Sequence, residues 1–451
     1  MKIARIVTIM MLIVMVGSFS LVACSSDEET PPTKIVEVTK EVEVTKVVEV
    51  TKEIPAGWGE PVKISQALGL TGPYATQHAQ IFRAIQDYTR YINDEGGLVD
   101  TNGTHHPLEL MWGDMKTDVP TSVSLYEKAV EGGALLHSAA WVAGAEGIRV
   151  KANKDKMPVM AMSPYEQAVM PWIDGYTMVA IPYYEDYICA YIDWFVDTQW
   201  EGEGMPKLAM VVLGNAFGQA AIKEKVIDYI EGTGVEIVAT ESVDYIPVDT
   251  VPNLLKIKNA GADFIWAQMV APTAAVVLQD MRKLGLDIPI AGPAPATADT
   301  IYGLAGDDSA DWITAVTNPY LGDDNQLPFV RDMEARYHPD PYPEGSDMYT
   351  YGLQPFIVSV EAIRLAMEVV PFDELKPSDV MSSGFDRMEN FEVPTTPPVT
   401  YKDGRRYGQN NVRMVQIQEG GSLEFVSDWV QCPDVLGYEE YYTNEVAPKY
   451  K

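Results

Sequence analysis

Side chains that could act as nucleophiles, bases or metal ligands are few in this 451-residue chain, and they form no known catalytic pattern. The sequence has no phosphate loop ending in Gly-Lys-Ser/Thr, no His-Glu-x-x-His, no Gly-x-Ser-x-Gly and no Cys-x-x-Cys. The pair His105-His106 lies in a polar turn, where adjacent side chains diverge, so a solvated pair is favoured over a metal site. The acidic pairs Asp307-Asp308 and Asp323-Asp324 lack calcium-loop spacing. The missing motifs do not exclude an enzyme, but they make one unexpected, and we expect neither a metal nor a cofactor.

Strands that alternate with helices would position any binding residues from Trp58 onward. Apolar runs predict strands over residues 61–68, 108–112, 134–136 and 158–162, and a second series over 208–213, 235–238 and 263–267. Helical spacing predicts helices between them, including one that ends at Gly96-Gly97 and others over 120–131, 220–231 and 274–284. Such alternation is typical of parallel sheets covered on both faces. The sequence therefore predicts an α/β fold of two doubly wound lobes, joined around residues 181–184, with a ligand outside the carboxyl ends of the strands.

The first 23 residues carry the features of a secretory signal. Lys2 and Arg5 precede an apolar run over residues 6–16, and small residues then lead to Leu21-Val22-Ala23-Cys24. The run is too short for a stable membrane-spanning helix, which needs roughly 20 residues. A cysteine after a small residue resembles the bacterial lipobox, in which that cysteine is lipidated and becomes the new N-terminus. We predict a signal peptide over residues 1–23 and a lipid anchor at Cys24 that holds an extracytoplasmic protein, in the periplasm or at the cell surface, on a membrane.

Residues 24–57 predict a tether and not a domain. A polar, proline-containing start is followed by three copies of a six-residue unit, over 35–40, 41–46 and 47–52, in which valine alternates with polar residues. This alternation is typical of an extended chain, and no turn separates the units. A stalk of about 100 Å, at roughly 3.3 Å per residue, is favoured over a strand that pairs with a second copy or a partner.

Composition and charge narrow the range of partners. Hydrophobic residues make up 47% of the chain, as in a globular protein, and the net charge of −32 argues against nucleic acid or an anionic lipid face as a partner. Of the three cysteines, Cys189 and Cys432 are left once Cys24 is assigned to the lipid anchor. They could form one disulfide or stay as two buried thiols, and the sequence leaves both possibilities open.

Six motifs lie in or beside the predicted loops. They are Leu70-Thr71-Gly72-Pro73-Tyr74-Ala75, Ile92-Asn93-Asp94-Glu95-Gly96-Gly97-Leu98, Met162-Ser163-Pro164, Ala216-Phe217-Gly218-Gln219, Gly261-Ala262-Asp263 and Leu284-Gly285-Leu286. In this order and spacing they resemble the branched-chain amino-acid-binding proteins, which are type I periplasmic receptors of ABC importers. The resemblance covers the chain after Trp58. It implies three crossovers between the lobes, near residues 181–184, 317–320 and 394–407, and thus a first lobe of residues 58–181 plus 318–395 and a second of 182–317 plus 396–451.

The resemblance implies a monomeric receptor that binds a small amino-acid-like, carboxylate or amide solute between its lobes and delivers it to ABC permease and ATPase subunits. A solute that prefers the closed arrangement would shift the hinge equilibrium towards it. Backbone N–H groups at helix starts in the first lobe suit a carboxylate. The candidate ligand-binding residues are Tyr74, Ser138, Ala139, Trp141, Ser163, Tyr165 and Glu166 in the first lobe, with Tyr183, Phe217 and Ala294 in the second.

Two positions depart from the family pattern. Trp141 falls near the place of a serine hydroxyl, which leaves Ser138 as the nearby hydroxyl, and Ala294 falls where the family has an acidic residue for the ammonium of an amino acid. A buried ammonium without a counter-charge is costly to desolvate. Glu166 is a candidate replacement from the other lobe. If Glu166 does not take this role, the aromatic residues suit an apolar or aromatic carboxylate, an amide, or a cation held by ring faces.

Two other functions stay open on the sequence. A receptor of the same fold could report its closed state to a membrane signalling protein, or the scaffold could support an extracytoplasmic enzyme. Because a fold alone does not determine function, the site has to decide.

Overall fold

The computed structural model describes residues 57–169, 175–317, 328–337, 347–394 and 396–450. The predicted signal peptide, Cys24 and the tether up to residue 56 lie outside the described residues, as do residues 318–320 of the predicted second crossover. The strands are, in chain order, β1 Val62–Leu68, β2 Leu98–Val99, β3 His105–His106, β4 Leu108–Asp114, β5 Leu136–Ala139, β6 Val159–Ala161, β7 Thr177–Met178, β8 Lys207–Leu213, β9 Glu236–Val243, β10 Phe264–Gln268, β11 Ile290–Pro293, β12 Ile313–Val316, β13 Asn411–Ile417, β14 Leu423–Phe425 and β15 Val430–Gln431.

Helices connect these strands. They are α1 Ala75–Asp94, α2 Val119–Glu131, α3 Val142–Asp155, α4 Glu166–Val169, α5 Tyr184–Thr198, α6 Ala216–Gln219, α7 Glu224–Gly232, α8 Val251–Ala260, α9 Ala271–Leu284, α10 Ala298–Ala305, α11 Pro328–Tyr337, α12 Asp347–Met367, α13 Pro377–Asp379 and α14 Tyr438–Tyr441.

The first lobe is built on a parallel sheet with the strand order β4-β1-β5-β6-β7. Val62, Ile64 and Leu68 of β1 are fully buried, as expected of a strand covered by helices on both faces. Helix α1 buries Ile81 and Ile85 at helical spacing, and it ends just before the glycine pair at residues 96–97, where both φ angles are positive. Helices α11 and α12 also pack against α1, so the first lobe contains two separate parts of the chain.

The second lobe is built on a sheet with the order β14-β13-β12-β11-β10-β8-β9. Strands β8 to β12 run parallel, whereas β13 pairs antiparallel with β12, β14 and β15. The predicted α/β class with two parallel-sheet lobes is confirmed, with antiparallel strands added along one edge of the second sheet. The lobe limits given above stay a prediction.

Three predicted elements differ from the structure. Strand β5 begins at Leu136 instead of residue 134 and runs to Ala139, because the chain first turns at Gly132 and Gly133. Strand β9 continues to Val243, past the predicted end at residue 238. The single helix predicted over residues 220–231 is interrupted at Lys223, whose ψ of 147° is extended, so that a short 3₁₀ turn precedes α7.

Two chain segments pass side by side between the lobes. After β7, Val179 accepts hydrogen bonds from the backbone N–H of Gly408 at 2.9 Å and from the Tyr401 hydroxyl at 2.7 Å. The Val179 N–H in turn donates to the carbonyl of Arg406 at 3.0 Å. The chain also changes lobes between β12, in the second sheet, and α11, in the first lobe. We call the two hydrogen-bonded segments, around Val179 and residues 406–408, the hinge.

Residues 433–450, which we call the C-terminal segment, lie across this hinge. The segment follows β15 of the second lobe, yet Leu436 and Tyr438 are buried in one apolar cluster with first-lobe residues such as Val159. Tyr438 accepts a hydrogen bond from the backbone N–H of Arg406 at 2.5 Å, and its ring meets that of Tyr407 at 5.6 Å. The segment therefore connects the two lobes on the side of the hinge.

Candidate functional site

Loops at the carboxyl ends of the strands of one lobe contact those of the other. Tyr245, after β9, donates its hydroxyl to the carbonyl of Pro73, after β1, at 2.7 Å. The ring of Tyr245 also stands edge-on to that of Tyr74, with 5.2 Å between centroids. The position of this contact is that expected for a ligand cleft in such sheets, and the lobes are closed on each other there.

The turn after β1 is held by buried polar groups. Asp114 accepts from the N–H of Leu70 at 2.9 Å and from the hydroxyl of Thr71 at 2.6 Å. The Nδ1 atom of His78 accepts from the N–H of Gly69 at 2.7 Å, and the His78 ring stacks on Tyr74. These bonds fix the place of Tyr74 at the start of α1.

Acidification should weaken the fold through His78. Burial lowers the pKa of His78 to about 4, against a smaller upward effect of the Asp114 carboxylate. The unfolded chain, with an ordinary histidine pKa, takes up this proton first, so stability is complete above about pH 6.5 and is lost as the pH falls towards 4. Between pH 7 and 4.5 we expect His78 to contribute a loss of about 2 kcal/mol in the free energy of unfolding. Urea unfolding at both pH values should show a smaller loss for His78→Asn, and an equal loss would contradict the assignment.

Two predicted residues, Ser138 and Ala139, lie in strand β5 and not in the loop that follows it. Both are buried, and the Ser138 hydroxyl donates to the carbonyl of Met160 in the neighbouring strand at 3.3 Å. The error in the strand limits shifted these residues into the predicted loop. Trp141, by contrast, does lie at the strand end, where it directly precedes α3.

Two buried tyrosine hydroxyls lie beside the loop that follows β6. Tyr351 of α12 donates to the carbonyl of Met162 at 2.7 Å, and its oxygen lies 3.2 Å from the hydroxyl of Tyr184. The Tyr184 ring stands edge-on to Phe217 of the second lobe at 4.7 Å, and burial raises the pKa of Tyr184 to about 12. Ser163, which the sequence predicted as a ligand-binding residue, donates its hydroxyl to the carbonyl of Ala140 at 2.8 Å. These contacts form a neutral cluster of rings and hydroxyls that extends to Phe217.

Two other predicted ligand-binding residues, Tyr183 and Ala294, are both buried, but in different parts of the structure. Tyr183 is 1% exposed and stacks on Tyr407 of the hinge at 5.0 Å, within the apolar cluster of the first lobe, so its neighbour Tyr184 faces Phe217 instead. Ala294 is buried directly after β11, and it brings no charge to the loop there.

A lysine that the sequence did not single out joins the lobes. Lys223 of the second lobe lies 2.9 Å from Oε2 of Glu166 in the first lobe, and its ammonium stands 4.3 Å from the centre of the Tyr165 ring. It also lies 2.5 Å from Oε1 of Glu185, in the first turn of α5. Burial raises the pKa of the Glu185 carboxyl, an effect that Lys223 opposes. Burial lowers the pKa of Lys223, but the two carboxylates more than compensate, so the pKa lies above its usual value.

A cavity of about 490 Å³ opens at the other end of the second sheet. Its lining includes Trp200, Asp263 before β10 and Arg282 of α9. Arg282 lies 3.6 Å from Asp287 and 3.9 Å from Asp311, so its charge is balanced. Ligands of such sheets bind at the carboxyl ends of the strands, and this cavity lies at the opposite end.

Metal-ligating side chains are not clustered in the part of the chain that the structure describes. No group of three or more histidine, cysteine, aspartate or glutamate residues there could hold a metal ion. No helix in these ranges is long and apolar enough to cross a membrane.

Known proteins share this architecture. Residues 61–422 match the family model described as periplasmic binding protein. No curated protein sequence gives a significant match. Among solved structures, a branched-chain amino acid ABC transporter protein from Thermus thermophilus with bound valine is 19% identical, with 85% of this chain and 100% of that chain covered and a TM-score of 0.74.

Two more solved structures show the same likeness. A fatty acid ABC transporter substrate-binding protein from Thermomonospora curvata is 18% identical over 85% of this chain and 95% of its own, with a TM-score of 0.70. An ABC transporter substrate-binding protein from Aeropyrum pernix is 14% identical over 86% of this chain and 100% of its own, with a TM-score of 0.74. At these identities the likeness concerns the fold. Because the family match extends over most of the chain, this protein belongs to the type I periplasmic binding protein family, a family of extracytoplasmic binding proteins.

Proposed function

We propose that this protein is the solute receptor of an ABC importer, binds a small organic molecule between its lobes and passes it to the permease and ATPase subunits. The observation that carries the proposal is the direct contact of strand-end loops across the cleft, through Tyr245 and Pro73 and through Lys223 and Glu166. A solute held by both lobes stabilises the closed arrangement by its differential affinity for that arrangement. The permease would then recognise the closed receptor, which acts as a monomer and catalyses no reaction.

The candidate site combines aromatic rings with hydrogen-bonding groups. Tyr74, Trp141 and Tyr165 of the first lobe would contact the solute together with Phe217 of the second. The N-cap residue of α3, Trp141, makes no capping hydrogen bond with its side chain, so backbone N–H groups of the first turn suit an acid or amide oxygen. Two solved relatives, one with bound valine and one named for fatty acid transport, are associated with solutes that differ in whether they carry an amine. The shared fold therefore suits more than one class of solute.

A membrane anchor at Cys24 is part of the proposal. It rests on the signal features of residues 1–23 and on the cysteine that follows a small residue. The anchor and the tether would hold the receptor beside its permease in the extracytoplasmic space.

A thermal-shift screen with a Trp141 variant tests the proposal. The purified protein is screened against amino acids, aliphatic and aromatic carboxylates, amides, ureas and polyamines. A solute at about a thousand times its Kd adds about 4 kcal/mol of stability, which raises Tm by several degrees. We expect one chemical class to bind, and Trp141→Ala to raise its Kd about tenfold or more because the indole side chain is lost from the cleft wall.

Trp200→Ala is the matched control, because Trp200 lines the cavity at the far end of the second sheet. It should leave the Kd unchanged. If no compound in any class raises Tm, or if bound compounds are recovered as chemically altered products, the proposed receptor function is wrong.

A further inference from the structure

The contact between the lobes contains two carboxylates that could pair with a cationic solute. Glu166 belongs to the first lobe and is 20% exposed at its side chain, whereas Glu185 of α5 is fully buried. Asp114, the carboxylate at the end of β4, accepts hydrogen bonds from the N–H groups of Leu70 and Lys116 and from the hydroxyl of Thr71. The Asp114 carboxylate is therefore engaged in hydrogen bonds within the first lobe.

Lys223 of the protein itself supplies the cation that pairs with Glu166 and Glu185. The interruption before α7 puts Lys223 in an extended conformation, and its ammonium lies within 3 Å of both Glu166 and Glu185. The face of the Tyr165 ring covers the ammonium at 4.3 Å, a favourable cation–π distance. Only 18% of the Lys223 side chain is exposed.

We propose that Lys223 takes the place of an amine in the solute, so that the receptor selects organic acids and amides without a cationic amine. This inference rests on the proposed function and names the solute class for the same cleft. An ammonium that enters the cleft loses its water and needs a carboxylate in return. Here the two carboxylates already share an internal ammonium, and that ammonium repels a second one. An amine-bearing solute would have to displace Lys223 and break a pair that is mostly buried.

Matched pairs of probes at pH 7 test this selectivity. Isothermal titration calorimetry compares 4-methylpentanoate with leucine, and 3-phenylpropanoate with phenylalanine; the members of each pair differ only in the amine. With the native protein, the amine-free member of at least one pair should have a Kd at least about tenfold lower than that of the amino acid. The variant Lys223→Met keeps the length of the apolar stem and removes the ammonium, so Glu166 and Glu185 become available. This preference should then shrink by about tenfold or invert.

Controls separate folding from recognition. Lys256→Met removes an exposed lysine that pairs with Glu241, and it should keep the native preference. If Lys223→Met is unstable because Glu185 is left buried and unpaired, the double variant with Glu185→Gln keeps Glu166 as the freed carboxylate.

The outcomes also separate the inference from the receptor function. Tighter native binding of the amino acids, or an unchanged preference without Lys223, overturns the inference and leaves the receptor function intact. If no member of either pair binds and the wider screen also finds no solute, both fail. A preference for amine-free members that depends on Lys223 supports the inference.

Discussion

Gly218→Ala should be among the most damaging single substitutions in the second lobe, at a cost of at least about 3 kcal/mol in the free energy of unfolding. A Cβ atom at residue 218 would stand 1.8 Å from the carbonyl oxygen of Leu213 and 2.6 Å from its carbonyl carbon. Both are backbone atoms of strand β8, so no side-chain rotation can relieve the overlap. Either α6 or the end of β8 must move, and Phe217 of the cleft moves with α6. Urea unfolding followed by circular dichroism measures the loss.

The matched control is Gly232→Ala at the end of α7. A Cβ atom there would have no described atom within 4 Å. The substitution should therefore be neutral, or it should stabilise the fold by up to about 1 kcal/mol because alanine lowers the conformational entropy of the unfolded chain. Equal stabilities of the two variants would show that the close approach at Gly218 is absent in solution.

Tyr438→Ala should cost about 3–5 kcal/mol, the range for removal of a buried aromatic side chain. Tyr438 is 2% exposed, packs with Leu436 in the first-lobe cluster and accepts the backbone hydrogen bond from Arg406. Its loss opens a cavity and leaves that N–H without its acceptor at the hinge. Thermal unfolding with Tm as the readout, together with urea titration, checks the expectation.

Tyr450→Ala tests whether the effect belongs to burial. Tyr450 lies in the same C-terminal segment but is 46% exposed, and its hydroxyl lies 3.3 Å from Asp386. We expect a loss of about 1 kcal/mol or less, as for most partly exposed positions. A loss as large as that of Tyr438→Ala would mean that the whole segment, and not the buried ring, stabilises the hinge.

Local patterns were enough to predict most of the fold. Helical spacing located α1 between residues 81 and 92, and the glycine pair at 96–97 marked its end, because both signals arise within one element. The limits of β5 were predicted poorly because the apolar run ends at Leu136, whereas the strand continues through His137 and Ser138, two polar residues that are buried, to Ala139.

The candidate site was harder to predict from the sequence than the fold was. Trp141 and Phe217 follow strands, so strand-end rules placed them at the cleft. Lys223 and Tyr245 were missed, because neither belongs to a motif and each acts through a partner in the other lobe. Glu166 was predicted as a partner for the solute, whereas the structure pairs it with Lys223. Such pairs depend on the closure of the two lobes, which no local window of sequence describes.

The C-terminal segment has a consequence for the order of folding. Native hydrogen bonds of the first lobe and the hinge join residues far apart in sequence, with 222 positions between Tyr401 and Val179 and 262 between Tyr349 and Asp87. Loops of this length must close before their contacts contribute, so folding that depends on them is slow. Because Leu436 and Tyr438 pack in the core of the lobe whose first strand is β1, that lobe keeps an open apolar face until a segment more than 360 positions after β1 has joined it. Slow folding with an exposed apolar surface favours aggregation.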